Sequence, residues 1–523
     1  MKNASIKKSK VFFIALLILL LFLFVFALCA CDRASVREVK ALSLSYKEKV
    51  VPYGTNRQDA LADLEIYLGD VSVPLSDVSF EGEYDPHASA RYVITVRYGT
   101  FSATLHLFVL QKREEGPNEF KRLDNIANDY YDSERLPSKG NVEVAVIPIG
   151  FADRSYDGVS DVLEKAFNGT EEETGWNSLR TFYEKTSYGK LHLHATIFPT
   201  YETGVEWNEN EDFLSYQRII GDAFSFGGYN FDPRFDSDSD GFLDCVYFIY
   251  LAPWRESEER TPWWAYTDRG IQTMQIVMEE EMEPLPQLGA CVWMSIEFFD
   301  KSYSEIFEGT ERKISTGVLI HETGHALGLP DYYDLNGYYP GVGSLNMMGG
   351  MNGDHDPFSK ALLDWTDPIF VSGAEQVIEL SSFAENGTTV FLTRSRNATL
   401  FDEAFVLCFY TPTGVCAKDA GKQGVFSKPG VLIYHISAEL QARGNGSIPN
   451  IFLHSNKEPP FLIRVCEADE NNSIQRSGLT SDGDLFTAGI TFSPKWNDGT
   501  ASGFKIHVLS LSDSHAIVSI MMD

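Results

Sequence analysis

The sequence predicts a multidomain α+β protein, and three observations carry that expectation. The chain has 523 residues, too long for one ordinary domain, so about three ordered units are expected. Strand-like alternation fills the stretches near 36–111 and beyond 373. Between them lies an apolar run, Val318-Leu-Ile-His-Glu-Thr-Gly-His-Ala-Leu327, that suits a buried helix and carries two histidines four residues apart.

The net charge of −31 argues against nucleic acid and anionic headgroups as partners and fits an extracellular surface, with some carboxylates available to calcium. The seven cysteines show no C-x-x-C pair and no regular spacing, so neither a cysteine zinc site nor a dense disulfide framework is indicated. Those beyond Cys31 are odd in number, so at least one is free and packs as a small hydrophobe.

Lys2, Lys7, Lys8 and Lys10 open the chain, and Val11–Ala30 is an apolar run of about bilayer-spanning length. It ends in Leu28-Cys-Ala-Cys31, which resembles a bacterial lipobox, so residues 1–30 are expected as a lipoprotein signal peptide with Cys31 as the lipidated residue. An uncleaved signal anchor is the alternative; either one tethers the rest of the chain to a membrane, at the cell surface.

Residues 34–112 are expected as an all-β module. Leu64–Leu68 alternates, and Tyr92–Tyr98, Gly99-Thr100 and Phe101–Val109 read as a hairpin. No helical period or reactive cluster appears, and His87 and His106 read as structural. The module resembles the small immunoglobulin-like domains of bacterial surface proteins.

A charged, breaker-rich linker, Lys112–Pro117, leads to residues 118–370. Val142–Asp153 is nearly continuous apolar sequence, as for the buried first strand of a mixed sheet. Leu179–Leu191 starts helical and breaks at Gly189; the following strand puts His192 and His194 on one face, read as a surface pair rather than a metal pair. Residues 253–310 read as irregular, with Trp254, Trp263, Trp264 and the run Glu279–Glu281 as candidate cleft walls.

His321-Glu322-x-x-His325 is the chemical centre. On a helix, positions i and i+4 share a face, so both imidazoles can grip one ion, and Glu322 can reach a zinc-bound water as general base. Two incidental histidines on a core helix would need neither the turn at Gly328 nor an oxygen ligand beyond it. A catalytic zinc needs a third side chain. A Glu on a later helix is excluded, because none occurs between Glu322 and Glu375. Asp331, six residues after His325 and beyond Gly328, is assigned instead, with Asp334 and His355 as the fallbacks. Tyr332, Tyr333 and His355 are candidates to steady an oxyanion.

Asp236-Ser-Asp-Ser-Asp-Gly-Phe-Leu-Asp244 is the second motif. Asp236, Asp238, Asp240 and Asp244 alternate around a turn at Gly241, a spacing that suits calcium. Tyr247 stands where an EF-hand has its bidentate Glu, and a strand follows, so the loop reads as a structural calcium site. Met347 or Met348 sits where a methionine turn would underlie the metal, and Asp356–Trp365 reads as a helix with Pro in its first turn.

Taken in order, Val142–Asp153, Ser178–Leu191, the Asp-rich loop, His321–Asp334, the Ser344-Leu-Asn-Met-Met348 turn and the Lys360–Trp365 helix resemble the immune inhibitor A family of bacterial zinc metalloproteases. The resemblance covers about 140–370. It implies a metzincin-like catalytic domain that hydrolyses protein or peptide bonds. The chain departs from secreted members in its lipobox and in lacking an obvious long propeptide. Residues 373–523 return to strands, among them Phe405–Tyr410, Gly430–Ile436, Phe461–Cys466 and Ala516–Met521, and are expected as a β-sandwich like the family's tail. His435 lies within one of these strands and reads as a satisfied core histidine. An inactive surface adhesin and a zinc hydrolase of non-peptide bonds are the competing classes; the intact His321, Glu322 and His325 argue against the first.

Overall fold

The computed structural model describes residues 41–110, 135–208, 213–227, 232–254, 262–269, 287–302, 312–333, 341–371, 375–396, 398–443 and 448–522. The amino-terminal segment with Cys31, the 112–117 linker, Glu279–Glu281 and Asp334 lie outside them. The chain is multidomain α+β, divided into two compact units, 1–109 and 110–523. No helix of the described residues is long and apolar enough to cross a membrane.

The first unit contains β1 (Leu42–Leu44), β2 (Glu48–Val51), β3 (Ile66–Leu68), β4 (Val71–Val73), β5 (Ser79–Glu81), β6 (Arg91–Tyr98) and β7 (Phe101–Val109). They form one sheet in the order β1-β3-β4 and another in the order β2-β7-β6-β5. The hairpin read from Gly99-Thr100 joins β6 to β7, with Tyr98 opposite Phe101. Ile94, Val96, Leu105 and Leu107 alternate inward to meet Leu42, Val51 and Ile66. The module is not purely β: Arg57–Leu61 forms a short helix because Asn56 caps it, accepting from the Asp59 amide at 2.9 Å, and its Ala60 and Leu61 are buried.

The second unit begins with a sheet of β8 (Gly140–Gly150), β9 (Leu191–Ile197), β10 (Tyr201–Glu202), β11 (Phe242–Tyr250), β12 (Tyr266–Arg269) and β13 (Gln287–Ser295). Both β9 and β10 pair with β8, and the order continues β8-β11-β13-β12. All pairings are parallel except β12 with β13. Along β8 and β11 alternate residues serve opposite faces. Val142, Val144, Cys245 and Tyr247 pack under the helices Val159–Asn168, Leu179–Thr186 and Gly317–Ala326. Ala145, Ile147, Val246 and Phe248 pack against Tyr216, Ile220 and Phe224 of the Phe213–Gly227 helix. Both faces are covered, which is why these strands read as unbroken apolar runs.

The reading of 253–310 as irregular is corrected by β12 and β13. Leu288–Met294 is a buried parallel strand, but its Gly, Ala, Cys and Met lack the β-branched signal that sequence reasoning relies on.

Beyond the first sheet lie β14 (Ile369–Phe370), β15 (Glu375–Ser381), β16 (Thr389–Thr393), β17 (Glu403–Tyr410), β18 (Gly430–Ser437), β19 (Leu440–Arg443), β20 (Ile448–Phe452), β21 (Ile463–Cys466), β22 (Thr491–Phe492), β23 (Phe504–Leu511) and β24 (His515–Met522). Sheets β14-β16-β17-β18-β21 and β15-β24-β23-β22 enclose one apolar cluster, in which Phe405, Leu407 and Ile433 meet Ile506 and Val518. The opposite face of β17 and β18, with Val406, Cys408, Tyr434 and Ile436, belongs to the same cluster as Leu319 and Phe358. Residues of 118–370 and of 373–523 therefore share one continuous apolar core within this unit. Cys245, Cys291, Cys408, Cys416 and Cys466 are all free and buried.

Candidate metal centre

The helix Gly317–Ala326 is enclosed on nearly every side, with only His325 partly open. Hydrogen bonds tie it to distant elements. Tyr183 donates to the Ile320 carbonyl at 2.8 Å, and Thr316 donates to the Asn177 carbonyl at 2.7 Å. The Thr323 hydroxyl donates to the Leu319 carbonyl at 2.7 Å, so Tyr247, 2.9 Å away, donates to Thr323.

The helix stops at Gly328, whose φ of +104° is a conformation that favours glycine. The Gly328 amide reaches the His325 carbonyl at 2.9 Å and the Leu329 amide reaches the Gly324 carbonyl at 3.0 Å, a closure that turns the chain sharply back. This return places Asp331 Oδ1 3.2 Å from His321 Nε2 and 3.1 Å from His325 Nε2. His321, His325 and Asp331 thus form one group that could hold a metal ion.

The second ring nitrogens fix which atoms face the group. His321 Nδ1 lies 2.9 Å from the Met347 carbonyl and His325 Nδ1 lies 2.8 Å from the Leu329 carbonyl. A carbonyl oxygen only accepts, so each Nδ1 carries a proton, and in the neutral rings both Nε2 lone pairs point at Asp331. Asp331 Oδ1 is buried and has no hydrogen-bond donor among neutral partners. Three acceptors facing one another need a cation or a proton between them. For His325, burial opposes charge, but the hydrogen bond and charge of Asp331 outweigh it and push the ring up to about 9. Burial likewise works against ionised Asp331, yet both histidines hold its carboxyl well below the usual range. Two imidazole nitrogens and a carboxylate oxygen are a donor set that could hold a metal ion.

Glu322 stays out of this group. Its Oε2 accepts from the Thr267 hydroxyl at 2.8 Å, and the Glu322 carbonyl lies 2.7 Å from the same hydroxyl. Thr267 sits on β12, in the stretch read from sequence as irregular, and no local signal marked it.

The methionine turn has two separate parts. The Met347 carbonyl orients His321, while Met348 packs its sulfur under the helix at Gly324. Asn346 caps the turn by accepting from the Met348 amide at 2.9 Å, and the Tyr332 amide donates to the Met348 carbonyl at 2.8 Å. That last bond ties the segment carrying Asp331 to the turn.

The remaining candidates separate clearly. Tyr332 is fully buried with its hydroxyl 2.8 Å from Ser359 Oγ, so it does not face the site as an oxyanion partner. Tyr333 stacks its ring on His321 with centroids 5.9 Å apart. His355 lies beneath the helix, walled by Phe182, Tyr183 and Trp365, with no hydrogen-bond partner on either nitrogen. Burial and the Lys360 charge hold it well below the usual imidazole range, and it is not in the metal group. Lys360 itself is buried and pairs with Asp354 at 2.7 Å, with Asp356 capping the helix that carries it.

In the Asp-rich loop, Asp236, Asp238 and Asp244 converge as a second group. Asp240 does not join it; its Oδ1 accepts from the Phe242 amide at 2.7 Å and shapes the turn into β11. Asp244 is buried, and that burial, with the charges of Asp238 and Asp236, pushes its carboxyl up to about 7 against the bonds from Ser237. His192 and His194 each pair with a different carboxylate, Glu184 at 2.6 Å and Glu143 at 2.8 Å. His435 is held between Glu403 at 2.9 Å and Arg464 at 2.8 Å. No protein-family model and no curated protein matches the chain.

Proposed function

We propose that the chain is a zinc-dependent endopeptidase acting outside the cytoplasm, with the metal held by His321 Nε2, His325 Nε2 and Asp331. The observation that carries the reading is the convergence of both Nε2 atoms on one carboxylate oxygen, at 3.2 and 3.1 Å, with each Nδ1 already committed to a backbone carbonyl. Bound there, zinc supplies Lewis acidity toward a carbonyl oxygen and makes water a nucleophile near neutral pH.

The chain's own residues supply the rest. Glu322 accepts the proton of the attacking water and returns it to the leaving amine. The Thr267 hydroxyl, 2.8 Å from Oε2, fixes the carboxylate orientation for that transfer. Tyr333, stacked on His321, is the candidate partner for the oxyanion. A peptide substrate is favoured because β12, the strand carrying Thr267, ends the order of its sheet among the described strands. An extended chain can pair along such an edge and would run beside Glu322.

In this reading the catalytic region is metzincin-like and of the immune inhibitor A type, the first unit is an immunoglobulin-like spacer, and β14–β24 form the carboxy-terminal sandwich. Cys31 carries the lipid anchor, for which the lipobox is the support. Asp236, Asp238 and Asp244 hold a structural calcium ion, supported by their convergence around a buried carboxylate.

Digestion of a peptide library by the full chain, with and without chelator, tests the activity. Cleavage should stop on chelation, return with zinc, and fail in Glu322→Gln. Cleavage indifferent to the chelator, or none by zinc-loaded protein, would overturn the reading.

A further inference from the structure

A third acidic group lies far from both sites in sequence. Glu467 and Asp469 follow β21, and Asp484 closes the loop that leaves them. One carboxylate oxygen from each lies within 4.8 Å of the others. Asp484 belongs to the group and is fully buried; its Oδ2 accepts from the Ser481 amide at 2.7 Å, but its Oδ1 has no hydrogen-bond partner. Among the described residues no lysine, arginine or histidine pairs with any of the three.

Acidic turns are usually solvated, and a solvated turn does not bury an unpartnered carboxylate oxygen against two other carboxylates. Leaving such an atom unpaired carries its full desolvation cost, larger still for a charge. Two features build the group inward. Gly483 has no side chain where a Cβ would stand 2.7 Å from Asp469 Oδ2, so that carboxylate closes on the backbone of the Asp484 turn. Glu467 is oriented by the Ser473 amide at 2.5 Å and the Ile474 amide at 3.2 Å. Of the three, Glu467 also lines a cleft of about 400 Å³ with Glu470 and Asn472.

We propose that Glu467, Asp469 and Asp484 form a further site for a hard divalent cation of the calcium class, which pins the 467–484 loop. Carboxylate oxygens and water are the ligands calcium takes, six to eight in flexible geometry. The three carboxylates repel one another, and a cation among them would offset that repulsion. The loop matters to the zinc region by contact. A Cβ on Gly343 would stand 2.5 Å from Thr480 and 3.6 Å from Ile474, so the pinned loop lies against the approach to the methionine turn. The site does not depend on the peptidase reading.

The test is calcium titration by calorimetry on the full chain carrying Asp238→Asn, which silences the loop before β11. About one calcium per chain should still bind and should slow amide exchange across 467–484. Adding Asp484→Asn should abolish both effects, and the more exposed Asp469→Asn serves if Asp484→Asn does not fold. No calcium uptake in the Asp238→Asn chain, or equal uptake and exchange after Asp484→Asn or Asp469→Asn, would overturn the proposal. Neither result bears on cleavage by the zinc group, so the two readings fail separately.

Discussion

Met348 Sδ occupies the space that a side chain at position 324 would need: a Cβ built on Gly324 would stand 2.4 Å from the sulfur. The glycine between the two histidines is therefore a packing residue. It lets the methionine turn rise against the helix, close enough for the Met347 carbonyl to meet His321 Nδ1 at 2.9 Å.

Gly324→Ala should destabilise the fold by about 1–3 kcal/mol, the usual range for overpacking a filled core. Met348 is fully buried and has little room to yield. The loss should be partly recovered in Gly324→Ala with Met348→Ala, so the double mutant should lose less than the sum of the singles. Denaturant melts of the four proteins measure this; a wild-type midpoint for Gly324→Ala would contradict the contact.

Glu322→Gln keeps the shape of the side chain and its place beside Thr267 but removes its basicity. Hydrolysis should fall about 10²–10⁴-fold. Zinc content, measured by atomic absorption, should be unchanged, because Glu322 is outside the ligand group. Digestion at the wild-type rate would remove Glu322 from the mechanism.

Asp331→Ala should weaken zinc binding by more than the roughly 10–100-fold typical of losing an outer hydrogen-bond partner of a ligand. His355→Phe should keep zinc stoichiometric, since the His355 nitrogens meet no partner and the ring is sealed among aromatics. The reverse pattern in a metal-content assay would transfer the third ligand to His355.

Thr267→Val removes the side-chain hydroxyl that lies 2.8 Å from Glu322 Oε2. A hydrogen bond to a charged group contributes about 1.5–3 kcal/mol, so kcat should drop roughly 10-fold or more. Thr267→Ser should restore it. An equal kcat for Val and Thr would make the contact purely structural.

Calcium should raise the melting temperature of the metal-stripped chain, because it binds the folded loop and not the unfolded chain. At one hundred times its Kd the linkage is about 2.7 kcal/mol. Asp238→Ala should remove the share that comes from the loop before β11, whereas Asp240→Ala should remove little of it, as Asp240 serves the Phe242 amide. Equal losses from the two substitutions would return Asp240 to the ligand set.

How much of this was legible in the sequence depends on distance along the chain. His321 and His325 share a face because a helix repeats every 3.6 residues. Gly328 could be read as its stop and Asp331 as the nearest oxygen beyond, since a few residues of turn leave few places for that side chain. The hairpin at Gly99-Thr100 and the turn at Gly241 are local in the same way. These features were fixed by the sequence itself, through backbone geometry over spans of about ten residues.

Tertiary structure alone decided the rest. Thr267 reaches Glu322 across 55 residues because β12 runs antiparallel at the end of its sheet. Met347 orients His321 from 26 residues away through a carbonyl, a group every residue carries and no sequence pattern marks. Asp484 faces Glu467 and Asp469 only because the loop folds back on Gly483. Asp240, in step with its neighbours in sequence, turns aside to the Phe242 amide. Side-chain direction at such places follows from which partners the packed chain brings within hydrogen-bonding distance, and that is a property of the whole core rather than of any local repeat.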